Sequence, residues 1–226
     1  MPPVVGISTS FVDDEQRLHV SYVHALEQSG AVPVIVPMCK ERHTIVAFVD
    51  HIDALLFSGG PAVMEGLNGT LPSDLPGPDS QRLLTDRWLL EAALNRKLPL
   101  LGICYGMQLL NAYFGGSIFA DADQQCGLSK THSEKRGGTG HPLLIEKNSH
   151  LASIFGSESL DVTSRHIQAI ECVAQPFTAS AKAPDGIVEA IESLDGRMIG
   201  VQFHPEAMSE KMKPLFDYLV RLASRP

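Results

Sequence analysis

Through the first half of the chain, short β-branched or leucine-rich runs alternate with stretches whose apolar residues recur every three or four positions. Val4–Ile7 reads as a strand, and Leu18, Tyr22, Ala25 and Leu26 then fall at helical spacing until Gly30 ends the helix. Val32–Val36, closed by Pro37, is a second strand, and Ile45–Phe48 suggests a short helix. Ala54–Phe57 is a third strand, stopping at Ser58-Gly59-Gly60-Pro61. From Pro61 to Ser80 the periodicity vanishes and prolines accumulate, which predicts a long loop of functional or mobile character. Gln81–Arg96 resumes a helical pattern, with Leu83, Leu84, Trp88, Leu89, Ala92 and Ala93 assigned to its buried face. Leu98–Ile103 is apolar without alternation, as in a parallel strand covered on both faces, and Tyr105–Phe114 follows as a helix closed by Gly115-Gly116.

The second half changes character. Leu143–Glu146, Leu160–Thr163, Ala169–Ala174, Ile187–Ile191 and Met198–Phe203 are short runs separated by turn residues, before a last helix over about Glu210–Ala223. The pattern predicts an α/β fold: a doubly wound, mostly parallel sheet flanked by helices, with additional antiparallel strands in the C-terminal half. No repeat, low-complexity tract or linker interrupts it, so one domain spanning 1–226 is expected.

Composition narrows the partners. With 44% hydrophobic and 19% charged residues the chain is ordinary globular protein, and disorder or coiled coil is excluded. Eighteen basic against twenty-six acidic residues give a charge of −8, which disfavours nucleic acid. No apolar run approaches the roughly 20 residues of a membrane span, and Met1–Ile7 reads as a strand rather than a signal peptide. Cys39, Cys104, Cys126 and Cys172 show neither C-x-x-C spacing nor a disulfide framework. A reduced, cytoplasmic protein without a metal is expected; His132, His141 and His150, in polar stretches, read as solvated loop histidines. The Asp121-Ala122-Asp123 run resembles a metal pair only superficially.

The chemistry concentrates at Gly102-Ile103-Cys104-Tyr105-Gly106, where a buried strand runs directly into a helix. This has the form of a nucleophile elbow with cysteine in the place of serine. Glycines two residues either side remove β-carbons from a turn too sharp to hold them. The sulfur is lifted to the carboxyl end of a strand and the positive end of a helix, which favours thiolate. A nucleophile of this kind needs a base, and the base an orienter. His204 has the right setting, at the end of the strand-like run 199–203, with Glu206 on the same side of an extended segment.

The motifs Gly-Ile-Cys-Tyr-Gly-Met-Gln at 102–108 and Gln-Phe-His-Pro-Glu at 202–206 resemble those of the class I glutamine amidotransferase superfamily, whose fold is flavodoxin-like. Ser58-Gly59-Gly60-Pro61 matches its glycine loop, so the likeness covers nearly the whole chain. The resemblance implies a Cys104, His204 and Glu206 triad, with the Gly60 and Tyr105 amides as oxyanion hole. Within the superfamily the chain is similar to peptidase C26 γ-glutamyl hydrolases of the γ-glutamyl-γ-aminobutyrate hydrolase type. That likeness rests on the opening βα unit, the proline-rich stretch 74–82 and Ser164-Arg165-His166-Ile167-Gln168. It implies substrate contacts from Gln108, Ser164, His166 and Arg82. Thr163, Ile167, Leu83 and Tyr105 depart from the usual residues and bear on the amine half of the substrate.

The expected activity is hydrolysis of a small γ-glutamyl amide through a glutamyl-thioester, with no cofactor and with a homodimer left open. Two alternatives remain: a glutaminase subunit delivering ammonia to a separate synthetase, and a redox-sensing relative without catalysis.

Overall fold

The computed structural model describes residues 1–128, 132–138 and 140–224. In chain order the elements are β1 (Val4–Ile7), β2 (Ser10–Val12), β3 (Glu15–Arg17), α1 (Val20–Gln28), β4 (Val32–Ile35), α2 (Arg42–Val49), β5 (Ala54–Phe57) and β6 (Leu67–Asn68). There follow α3 (Ser80–Asn95), β7 (Leu100–Ile103), α4 (Tyr105–Tyr113), β8 (Ser117–Phe119), α5 (Ala122–Gln125), β9 (His141–Ile145) and α6 (His150–Phe155). The chain closes with β10 (Ser159–Val162), β11 (Ala169–Cys172), β12 (Phe177–Lys182), β13 (Val188–Ser193), β14 (Met198–Val201) and α7 (Lys213–Ala223).

The main sheet runs β10-β9-β12-β13-β14-β7-β5-β1-β4. Pairing is parallel from β14 through β7, β5 and β1 to β4, and antiparallel from β14 outward to β10. The doubly wound fold with antiparallel additions is therefore as expected. Because a parallel strand is covered on both faces, alternate residues feed two cores. Ala54 and Leu56 of β5 pack with Leu26, Leu215, Phe216 and Leu219 on the α1 and α7 side. Leu55 and Phe57 meet Ile45, Leu89, Met107 and Leu110 on the α2, α3 and α4 side.

Four local features depart from the pattern read in the sequence. Residues 10–17 form the hairpin β2–β3, turning through Asp13 and Asp14, both at positive φ (53° and 62°). The mirror-image turn normally announces itself by glycine, and none is present. In α3, Leu83 and Leu84 are exposed, while Arg82 and Asp86 are buried with Leu89 and Ala93. An ion pair has taken the inward face, which apolar periodicity alone could not show. Helix α6 and strands β8 and β12 lie where only turns were read, their short sequences carrying little pattern. The last helix begins at Lys213, after two short 3-10 turns.

Candidate active site

Strand β7 delivers Cys104 to the carboxyl edge of the parallel sheet, and α4 begins at the next residue. Cys104 has φ 52° and ψ −102°, a region an L-residue adopts only under constraint. Both glycines of the elbow are sterically required. A β-carbon on Gly102 would lie 2.6 Å from the Gly106 carbonyl group, and one on Gly106 would lie 2.4 Å from the Phe57 carbonyl oxygen. The helix start is thus pressed onto β7 and β5, and Cys104 is held by its amide donating to the Val201 carbonyl at 2.8 Å.

His204 follows β14, the parallel neighbour of β7, and stands close enough to Cys104 for the sulfur to act on its ring electrostatically. Its Nδ1 lies 2.7 Å from Glu206 Oε1. A carboxylate accepts, so Nδ1 carries the proton and Nε2 is left for the sulfur. Burial by itself would lower the imidazole pKa, but the sulfur and Glu206 outweigh it and push it up to about 10. The geometry is reached differently from the extended segment expected: Pro205–Ala207 is a 3-10 turn, which brings the carboxylate back under the ring. Gln202, also from the end of β14, donates through Nε2 to Cys104 Sγ at 3.5 Å.

The loop 58–60 lies opposite. The Gly59 amide donates to the Tyr22 hydroxyl at 3.0 Å, while the Gly60 amide makes no hydrogen bond to a described residue. Tyr105 opens α4, so its amide has no carbonyl within its own helix. Tyr22 is itself set between the loop and the carboxylate; burial first, then the Glu206 charge, raise its phenol pKa. Beneath the loop sits Arg82, fully buried. Its Nε donates to Asp86 Oδ2 at 3.1 Å, Nη1 to Ser10 Oγ at 2.9 Å, and Nη2 to the Ser58 and Gly59 carbonyls at 3.3 Å. The guanidinium also lies 4.1 Å over the Tyr105 ring. A β-carbon on Gly60 would fall 2.2 Å from Arg82 Nη1.

A cavity of about 340 Å³ opens over these groups, lined by Ser10, Arg17, Tyr22, Gly60, Arg165 and His204 among others. The structure places the four expected substrate contacts behind its wall. Arg82 supports the loop from below rather than facing the cavity. Gln108 is buried, its Nε2 shared between the Gln202 side chain at 2.9 Å and the Gln168 carbonyl at 3.0 Å. Ser164 and His166 are buried too, against His132 and the Gln168 carbonyl. Arg165, between them, is the residue that reaches the rim. The sequence contained that arginine inside the Ser-x-His-x-Gln segment, but nothing in one chain told which of three neighbours would point outward. Gln202 and Tyr22 were likewise missed as groups that touch the sulfur and brace the loop.

The reading of solvated loop histidines is corrected. His132 is buried, His141 lies in β9 and His150 opens α6. His132, His141 and His166 gather around the buried carboxylate of Glu189 on β13, one strand beyond β14. Burial would raise the Glu189 pKa, yet the three imidazoles hold it well below the usual range. Asp121 caps α5 and pairs with Arg136, which accounts for its carboxylate without a metal.

A parallel sheet of this order with a cysteine at the strand-helix elbow is a glutamine amidotransferase-type glutaminase fold. The glutaminase domain of Trypanosoma brucei CTPS, solved with bound acivicin, superposes with a TM-score of 0.65 over 98% of this chain and 94% of that one, at 16% identity. The Peptidase C26 family model matches residues 3–206, and the chain belongs to that family. Protein PB2B2.05 of Schizosaccharomyces pombe is 34% identical over 96% of this chain and 85% of its own length. The γ-glutamyl-γ-aminobutyrate hydrolase PuuD of Escherichia coli K12 is 28% identical, over 84% of this chain and 79% of its own. Family membership supports a hydrolase.

Proposed function

We propose that this chain hydrolyses γ-glutamyl amides through a thioester on Cys104. The observation that carries the reading is the meeting of the strained elbow cysteine with the His204–Glu206 pair from the adjacent parallel strand. The sulfur attacks the side-chain carbonyl carbon, and the carbonyl π pair moves to oxygen. The amides of Gly60 and Tyr105 stabilise that oxyanion, with the Arg82 charge behind them. Collapse reforms the carbonyl, and His204 gives its proton to the departing amine. Water, deprotonated by His204, then attacks the thioester and releases glutamate, returning the proton to the histidine–cysteine pair. Arg17 and Arg165 on the rim are positioned to receive the substrate's α-carboxylate. The partner is this small molecule, and residence is cytoplasmic, where four free thiols stay reduced.

Similarity to a γ-glutamyl-γ-aminobutyrate hydrolase favours an amine larger than ammonia, and a 340 Å³ cavity has room for one. A steady-state comparison on the purified chain alone tests this. At least one γ-glutamyl amine should be cleaved with kcat/KM well above that for glutamine. Preference for glutamine over every amine tried, or activity only on addition of a second protein, would assign the chain to the ammonia-delivering class instead.

A further inference from the structure

The histidine cluster around Glu189 has no part in the reaction just described, and its hydrogen bonding has a distinctive polarity. His166 Nδ1 faces the Gln168 carbonyl at 2.8 Å, and His141 Nδ1 faces the Pro142 carbonyl at 3.0 Å. Carbonyls only accept, so both Nδ1 atoms carry hydrogens. His132 Nε2 lies 2.9 Å from Asp185 Oδ2 and donates to it. Each ring therefore turns its other nitrogen inward. His132 Nδ1, His141 Nε2 and His166 Nε2 stand 3.2, 3.4 and 3.3 Å from a single atom, Glu189 Oε1. In the neutral rings these are lone pairs aimed at a carboxylate oxygen, acceptor against acceptor. Ser164 Oγ lies 3.3 Å from His132 Nδ1. Glu189 Oε2 and His141 Nε2 are buried with no hydrogen-bond partner among the described residues.

We propose that His132, His141, His166 and Glu189 form a structural binding site for a divalent transition metal of the zinc class. The pattern of each imidazole donating outward to a carbonyl or carboxylate while its other nitrogen points inward is that of metal-bound histidine. A tetrahedral zinc site with bonds of about 2.0–2.1 Å has ligand-ligand edges of about 3.3 Å. The three edges meeting at Glu189 Oε1 have that length; the ligand atoms of His132, His141 and Glu189 lie within 4.8 Å of one another, so the imidazoles, His166 last, would draw in around the ion. A divalent ion would also offset the charges of Glu189 and Asp185, the two carboxylates these rings face. Four protein ligands with side-chain exposures of 4%, 16%, 1% and 0% close the site, so it holds structure rather than activating water. It would pin β9, β13 and the 164–168 segment together. The Gln168 carbonyl that orients His166 also receives Gln108, which in turn holds Gln202 against the nucleophile.

The test is metal binding by the full untagged chain. After chelator treatment and dialysis, zinc or cobalt(II) alone is added. Bound metal is measured by elemental analysis, Tm is compared with and without the ion, and the cobalt form is examined by visible absorption. Close to one ion per chain, a raised Tm and the intense bands of tetrahedral cobalt without a sulfur-to-metal transition are expected. His141→Ala and His166→Gln should each weaken binding at least tenfold, Asp185→Asn should weaken it about 10–100-fold through His132, and Cys104→Ser should retain the ion. Asp185 is partly exposed, so its variant reports even where a histidine variant does not fold. No stoichiometric binding by the wild-type chain, unchanged affinity in Asp185→Asn and His141→Ala, or loss of the ion in Cys104→Ser would overturn the proposal.

Discussion

Replacing Arg82 by methionine keeps much of the side chain's volume while removing the buried charge beneath the glycine loop. Four hydrogen bonds go with it: one to Asp86, one to Ser10 and two to the carbonyls of Ser58 and Gly59. Both members of the ion pair are essentially without solvent contact, 0% and 1% exposed, so the change leaves Asp86 as an uncompensated buried charge. Breaking a buried pair from one side costs about 3–5 kcal/mol. At about 2–4 °C per kcal/mol for a chain of this length, Tm should fall by about 6–20 °C. The loss should depend on pH in a definite sense. Burial raises the Asp86 pKa and Arg82 opposes the rise; without Arg82 it climbs further. A raised folded pKa means that stability is fully present below the unfolded carboxylate value, about 3.9, and is lost as pH rises through the folded one. R82M should therefore lie closest to wild type in acid and fall away towards neutrality. The double variant R82M/D86L, which removes the orphaned carboxylate, should recover much of the loss. Its kcat should stay low, because the loop carrying the Gly60 amide has lost its support. Thermal unfolding across pH together with steady-state rates checks each part. A deficit below about 1 kcal/mol at pH 7, or the same deficit in the double variant, would refute the reasoning.

Two further changes probe the elbow and the base. Glu206→Gln removes one of the groups that push His204 up to about 10, so the alkaline limb of kcat/KM should move to lower pH; an unmoved limb would separate Glu206 from the base. The same raised imidazole contributes stability that is present below about pH 6.5 and lost as pH rises through about 10, and the variant should lose part of it. Gly106→Ala sets a methyl 2.4 Å from the Phe57 carbonyl, a backbone atom that cannot step aside. It should cost about 1–3 kcal/mol or more and slow turnover, whereas Gly77→Ala, with nothing within 4 Å, should do neither.

The parts legible in the sequence are those written in local pattern. Strands β5 and β7 are continuous apolar runs, and Gly102 is demanded by contacts within a few residues of the turn, while Gly106 stands out by its symmetric place in the motif although the atom it must clear, the Phe57 carbonyl, belongs to β5. The contact between His204 and Glu206 was legible because a strand, a histidine and a carboxylate sit side by side in the chain. The parts that escaped are distributed. Arg82 and Asp86 hold an inward helix face that apolar counting assigned to Leu83 and Leu84, since a buried ion pair looks like a solvated one until its surroundings are known. His132, His141, His166 and Glu189 span 58 positions with no regular spacing; the pairing of β9, β12 and β13 aligns His141 with Glu189, and the His166 amide bonded to the His132 carbonyl joins the other two. Cavity-facing and buried residues of the 164–168 segment differ by single positions in a non-helical stretch, where no periodicity decides direction.

The central claim is that the sulfur of Cys104 forms the covalent intermediate. The most direct measurement is peptide mapping by mass spectrometry of the chain acid-quenched during turnover of a γ-glutamyl amide. The account predicts a glutamyl adduct on the peptide containing Cys104, absent in Cys104→Ala, which should turn over no substrate while keeping the wild-type circular dichroism spectrum. An adduct on Cys39, Cys126 or Cys172 instead, or sustained turnover by Cys104→Ala, would contradict it.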